Sequence, residues 1–244
     1  MYLDFSYIYD ELMDDVDYKS WVMYIEEIIK KNKVEVKNIL ELACGTGNIT
    51  IPLLKKGYDI LGIDMSTSML SVAKKKAKDM DLDLVLLNQD IVELDFEVYN
   101  LDCVLCCCDG FNYILEEEDL LKIFNDVYSK LKKDGIFIFD ISSYYKLKNT
   151  LGNNTFYEER EKIDYIWENY FDEEDNILQM NLNFFVQEGE LYKKFSEEHL
   201  QRAYKKDEII NLLEKSKFSD INIYSDFTFE YAKDSQRVFF VAKK

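Results

Sequence analysis

The run Glu41-Leu42-Ala43-Cys44-Gly45-Thr46-Gly47 places a carboxylate, a small residue and two glycines within seven positions. Glycines at such a turn let the backbone approach a ligand closely, and a helix starting there offers unpaired N–H groups. G-x-G by itself is common to many nucleotide sites. The third glycine of the dinucleotide fingerprint would fall at position 50, which is Thr50, and this argues against NAD or FAD. The acids carry more information. Glu41 lies four residues before Gly45 and can hold a cationic amino group, whereas it would repel a pyrophosphate. Asp64 follows Gly45 by 64 − 45 = 19 residues, about where an acid meets ribose hydroxyls. Asp90, in Asn88-Gln89-Asp90-Ile91, is placed to accept from an adenine amino group. A ligand with an ammonium, a ribose diol and an adenine, but no phosphate, answers all three.

Other residues could serve a second substrate. Asn112 and Tyr113 follow an apolar run, and Glu198-His199-Leu200-Gln201-Arg202-Ala203-Tyr204 forms a polar cluster late in the chain. His199 is the only histidine and titrates in the range useful for proton transfer, although a structural role fits it equally well. Arg202 could bind a substrate carboxylate or a glutamate of the protein. Met65 and Met69 could flank an adenine, while methionines on a helix face more often pack. Asp140 reads as a structural acid at a strand end. Cys103 and Cys106 have C-x-x-C spacing, but they sit in the apolar run Leu101–Cys108 with no second ligand pair. Buried, reduced cysteines and no metal are the expectation.

These groups need a scaffold that gathers strand ends. Trp21, Tyr24, Ile25, Ile28 and Ile29 recur at helical spacing. The runs 38–43, 58–64, 84–87, 101–108 and 136–141 read as strands. Helices are expected over 48–56 and after an N-cap at Ser66, and another runs through Leu120–Leu131 to a terminating Gly135. Continuous apolar strands separated by helices imply a parallel sheet covered on both faces. After about residue 150 the pattern changes to strands at 165–171, 178–186 and 191–195. Leu178, Met180, Leu182, Phe184 and Val186 alternate with Gln179, Asn181 and Asn183, which predicts an antiparallel meander. A helix at 207–215 and strands at 221–224 and 238–241 close the chain. The expected division is a core of 1–149 and 200–244 with 150–199 inserted as a lid, since the insertion leaves from the carboxyl rim of the sheet.

The 244 residues carry a formal net charge of −18, with 48% hydrophobic and 32% charged residues. Such a surface disfavours nucleic acid and anionic lipid as partners. No apolar run reaches the roughly 18–20 residues of a membrane span, and the acidic, aromatic start is unlike a signal peptide. The expected location is the cytoplasm.

Glu41–Gly47, Gly62-Ile63-Asp64-Met65-Ser66, Asn88-Gln89-Asp90 and Leu131–Asp140, taken in order, resemble the successive motifs of class I S-adenosylmethionine-dependent methyltransferases. The start, with Tyr7, Tyr9, Tyr18 and Trp21, and the late meander resemble the small-molecule branch, including glycine/sarcosine N-methyltransferase-like enzymes. S-adenosylmethionine is the ligand that answers the three acids. The resemblance implies an α/β Rossmann-like, seven-stranded, mostly parallel sheet in the order 3-2-1-4-5-7-6, with strand 7 antiparallel. It implies a cofactor site of Glu41, Ala43, Gly45, Asp64, Met65, Asp90, Ile91 and Cys107, with Tyr9 and Trp21 folded over the methionine end. The loop Asp134-Gly135 departs from the commoner Pro-Gly or Gly-Gly form. The expected activity is methyl transfer by in-line displacement to a small molecule, by a monomer or homodimer, with S-adenosylhomocysteine as product. Three other readings compete with it. An RNA methyltransferase is opposed by the charge, and a nucleotide-dependent oxidoreductase by Thr50 and the lack of a hydride-transfer set. A non-catalytic cofactor sensor would keep the pocket alone.

Overall fold

The computed structural model describes residues 5–244. Helices α1 (Phe5–Leu12) and α2 (Tyr18–Lys31) lead into a core of β1 (Asn38–Leu42), α3 (Thr50–Lys55), β2 (Asp59–Asp64), α4 (Thr67–Asp79) and β3 (Val85–Asn88). It continues with β4 (Leu101–Cys106), α5 (Glu117–Lys130) and β5 (Leu131–Ser142). Four further strands follow: β6 (Thr155–Glu159), β7 (Ile163–Asp172), β8 (Ile177–Glu188) and β9 (Leu191–Arg202). The chain ends with α6 (Lys206–Lys215), β10 (Ser219–Ser225) and β11 (Arg237–Lys243).

The main sheet has the order β3-β2-β1-β4-β5-β11-β10, so the topology matches the expected 3-2-1-4-5-7-6. β1 to β5 pair in parallel, and β11 runs antiparallel to both neighbours. The strands form because their side chains are apolar on both faces: every residue of β4 is buried. One cluster packs Leu40, Leu42, Val104, Phe137 and Phe139 beneath α5 and α6. The other packs Ile39, Cys103, Leu105 and Ile138 against α2 through Trp21, Tyr24, Ile25 and Ile28. Alternation along the strands creates the two sides. Ser66 caps α4 as expected, its side chain accepting from Met69 N at 3.3 Å.

Three expectations need correction. Gly135 does not end α5, which stops at Lys130; Leu131 pairs with Leu101, and residues 132–135 bulge before Ile136 rejoins opposite Cys103. β4 stops at Cys106 because Cys108 and Asp109 adopt left-handed backbone angles, φ 60 and 56. The meander has four strands, not three, in the order β6-β7-β8-β9, and β9 extends to Arg202. Much of the polar cluster around His199 therefore belongs to the meander itself.

Candidate active site

The parallel strands end on one rim, and a cavity of about 1060 Å³ opens there. The ends of β1, β2 and β4 supply one wall, α1 and α2 contribute Phe5, Tyr9 and Trp21, and the meander closes the other side.

At the end of β1 the backbone turns through left-handed angles at Ala43, Gly45 and Gly47, φ 52, 53 and 77. A Cβ at Gly45 would meet nothing within 4 Å, so the turn presents bare backbone to the cavity. Asp64 fixes this turn. Its carboxylate accepts from Gly45 N at 2.8 Å and from Ser66 N at 2.8 Å, joining the glycine turn to the start of α4. Burial raises its pKa against the pull of those two bonds. Glu41 is only 2% exposed, and its side-chain hydrogen bond comes from Thr50 Oγ1 at 2.6 Å. Burial pushes its pKa up to about 8. Thr50, seen in the sequence only as a missing glycine, thus holds the acid in place. Asp90 accepts from Val92 N at 2.9 Å and, with Ile91, borders the cavity. Met65 is 67% exposed at the mouth, while Met69 is buried with Phe5 and Phe184. Cys107 lies buried beside the turn.

α1 is latched to both walls. Asp10 accepts from Thr46 Oγ1 at 2.6 Å and Asn48 Nδ2 at 2.9 Å, and pairs with Lys76 Nζ at 2.7 Å. Directly after Asp10, at the same C-terminal end of the helix, Arg160 of the β6–β7 turn donates to the carbonyls of Glu11 and Leu12 and pairs with Asp14 and Glu158. Tyr9, one residue before these latches, lines the cavity, and burial raises its hydroxyl pKa. Trp21 also lines the cavity, yet its ring packs edge-on to Phe227 at 4.9 Å and lies 5.0 Å below Arg237.

Pairing register decides which meander side chains face inward. Tyr165 opposes Phe184, Trp167 opposes Leu182, and Met180 opposes His199, so these share one face. Glu158, Tyr165, Trp167, Met180, Leu182, His199 and Gln201 all line the cavity. The structure separates His199 from Arg202. Three positions along a strand reverse the face, and Arg202 turns outward, donating to Leu115 O at 2.8 Å and meeting Glu208 at 3.5 Å. Asn112 is also removed from the cavity. It is buried as a staple, donating to Ser142 O and Arg202 O and accepting from Ser142 N at 2.9 Å. Tyr113 does line the cavity, 5.9 Å from the His199 ring. Burial lowers the His199 pKa by penalising the charged imidazolium.

Sequence reading missed a charged network behind these groups. Asp140 accepts from Cys108 N at 2.8 Å and Asp109 N at 3.0 Å, which holds the left-handed pair after β4, and it pairs with Arg237. Asp109 pairs with Arg237 at 2.9 Å and accepts from Gln201 Nε2 at 2.9 Å, tying the meander to the sheet. Arg237 stands at the start of the last strand, 97 residues from Asp140, and no local pattern marks the partnership. Among the described residues, no group of His, Cys, Asp and Glu is arranged to hold a metal. Among the described residues, no helix is long and apolar enough to cross a membrane.

Residues 39–135 match the family described as Methyltransferase domain. YqeM of Bacillus subtilis (strain 168), itself assigned only provisionally as a methyltransferase, is 36% identical over 100% of this chain and 97% of its own length. A glycine/sarcosine N-methyltransferase of Aphanothece halophytica is 29% identical over 85% of this chain and 76% of its own. The crystal structure of an S-adenosylmethionine-dependent methyltransferase from Clostridium acetobutylicum ATCC 824 superimposes with a TM-score of 0.90 at 39% identity, covering 99% of this chain and 98% of that one.

Proposed function

This chain belongs to the S-adenosylmethionine-dependent methyltransferases, and we propose that it methylates a small molecule enclosed between the sheet rim and the inner face of the meander. The observation that carries the proposal is the single cavity lined by both the glycine turn and the meander. Its volume of about 1060 Å³ lies just above the usual range for small-molecule sites, about 300–1,000 Å³, which leaves room for an acceptor beside the cofactor.

The residues present fit the cofactor. Glu41 is a buried acid with no cationic partner among the described residues, which suits an ammonium, and Gly45 leaves bare backbone facing open space. In this reading Glu41 holds the amino group, Asp64 the ribose hydroxyls and Asp90 the adenine amino group, with Ala43, Met65, Met69, Ile91 and Cys107 packing around them. Tyr9 and Trp21 cover the methionine end. When bound, the cofactor supplies an electrophilic methyl group on a sulfonium.

The protein's own contribution is alignment and exclusion of water, which can supply most of the acceleration in such a displacement. In this reading His199, buried beside Tyr113, takes the proton that an acceptor nitrogen or oxygen sheds. The four-stranded sheet acts as the lid. The name of the Aphanothece relative supports an amine acceptor, and the charge of −18 favours a small molecule over RNA. The expected setting is the cytoplasm, as a monomer or homodimer. Calorimetry with S-adenosylhomocysteine and NAD tests the cofactor assignment: binding of NAD alone would sink it. Incubating metabolite pools with methyl-labelled cofactor, read by mass spectrometry, identifies the acceptor. Labelled protein or RNA in place of a labelled metabolite would overturn the small-molecule reading.

A further inference from the structure

Three cationic side chains other than histidine line the cavity among the described residues: Lys146, Arg160 and Arg237. Two of them are neutralised inside the protein. Arg160 pairs with Asp14 and Glu158, and Arg237 with Asp109 and Asp140. Lys146 differs. Its ammonium donates to Ser142 Oγ at 3.2 Å, a neutral partner, and it has no ion-pair partner among the described residues.

The fold pins this lysine. It opens a π-helical turn, Lys146–Leu151, and its backbone N–H is capped by Ser143 Oγ at 2.9 Å. Such turns are rare and frequently occur at functional sites. Burial lowers the lysine pKa, while Asp109 and Asp140 act in the opposite direction without reaching it as partners. An incompletely met ammonium inside a cavity is costly unless an anion joins it. A second donor lacks an acceptor nearby. Trp167, also on the cavity wall, packs against the cluster containing Leu147 and Leu151 of the same turn, and its indole N–H is buried without a partner among the described residues.

We propose that Lys146, with the indole N–H of Trp167, forms a subsite for a carboxylate carried by the methyl acceptor. A carboxylate supplies one negative charge and lone pairs for both donors. A phosphate dianion is disfavoured, because Asp109 and Asp140 already share Arg237 close by. The inference rests on the methyltransferase reading, but it concerns the acceptor lobe alone.

The test uses the protein saturated with S-adenosylhomocysteine at pH 7 and three aromatic probes of similar size: benzoate, benzamide and phenylphosphonate. Ligand-observed NMR titration measures their affinities for the wild type, Lys146→Met, Lys146→Gln and Lys146→Arg. Benzoate should bind saturably and at least tenfold more tightly than benzamide. Lys146→Met and Lys146→Gln should abolish that preference, and Lys146→Arg should keep benzoate within threefold. S-adenosylhomocysteine affinity within threefold of wild type identifies the folded variants, and either neutral variant suffices. No saturable benzoate binding, equal affinity for benzamide, or undiminished binding in the neutral variants overturns the subsite. Tighter binding of phenylphosphonate overturns its carboxylate character. Failure of the wild type to bind S-adenosylhomocysteine strikes the methyltransferase reading instead.

Discussion

The two walls of the cavity are built by different rules. The wall proposed to hold the cofactor consists of strand ends and the turns directly after them, with Glu41, Gly45, Asp64, Met69, Asp90, Ile91 and Cys107 lining the cavity. Each segment is short, and the backbone does much of the work through left-handed angles at Ala43, Gly45 and Gly47. The wall proposed to face the acceptor is a sheet face. Its members are selected by antiparallel pairing, which brings Tyr165, Trp167, Met180, Leu182, His199 and Gln201 to one side. A wall of strand ends tolerates changes elsewhere in the strands, whereas a wall made by register changes entirely if the pairing slips by one.

The largest expected effect is on the cofactor wall. Asp64→Ala removes both the proposed ribose contact and the bonds that hold Gly45 N and Ser66 N. Cofactor affinity should fall by about 2–4 kcal/mol, roughly 30- to 1,000-fold, as charged hydrogen bonds are worth about 1.5–3 kcal/mol each and add incompletely. Calorimetry with S-adenosylhomocysteine measures this, and unchanged affinity in a folded variant would return Asp64 to a purely structural role.

Next comes a pH effect from Glu41, whose pKa of about 8 lies far above the ordinary 4.5. Its folded-state pKa is raised, so its contribution to the stability of the free protein is full below the unfolded value and is lost as pH rises through about 8. Binding of an ammonium reverses the preference, because the cation needs the carboxylate charged. Affinity for S-adenosylhomocysteine should therefore weaken as pH falls from 8 to 6, by up to about tenfold per unit, with proton release on binding. Titrations in buffers of differing ionisation enthalpy would show the proton. Persistence of the release in Glu41→Gln would assign it elsewhere.

A smaller effect is expected at the hinge between the walls. Asn112→Ala leaves the Ser142 N–H and the carbonyls of Ser142 and Arg202 unmatched. Thermal or denaturant unfolding should show a loss of about 1–3 kcal/mol. Cofactor affinity should stay within about threefold, under ~0.7 kcal/mol. A large loss of affinity with unchanged stability would make Asn112 a site residue after all.

The finest discrimination comes from neighbours on β9. Gln201→Ala removes the tie to Asp109 and should impair turnover of the identified acceptor, whereas Arg202→Ala, on the other face, should alter stability by only about 0–1 kcal/mol and leave turnover intact. Equal loss of turnover in both would refute the assignment of faces.

The sequence by itself determined the sheet and which strand-end residues gather at its carboxyl rim, because both follow from local pattern. Continuous apolar strands require a covered parallel sheet, and acids or glycines at strand ends must meet at its carboxyl rim. Glu41, Gly45, Asp64 and Asp90 needed only their distance from neighbouring apolar runs to be set on that rim, where all four line the cavity. Tertiary structure decided the rest. His199 and Arg202 look like one cluster until β9 is seen to run through them, and strand parity then sends them to opposite faces. Asn112 has the same residue type whether it touches a ligand or staples β5; only burial between Ser142 and Arg202 tells which. Arg237, Asp140 and Asp109 meet across about a hundred residues, and Asp10 reaches Lys76 across 66. Charge pairs at such separations leave no periodicity behind them. They exist because folding brings the groups together and removes the water that would otherwise have satisfied them.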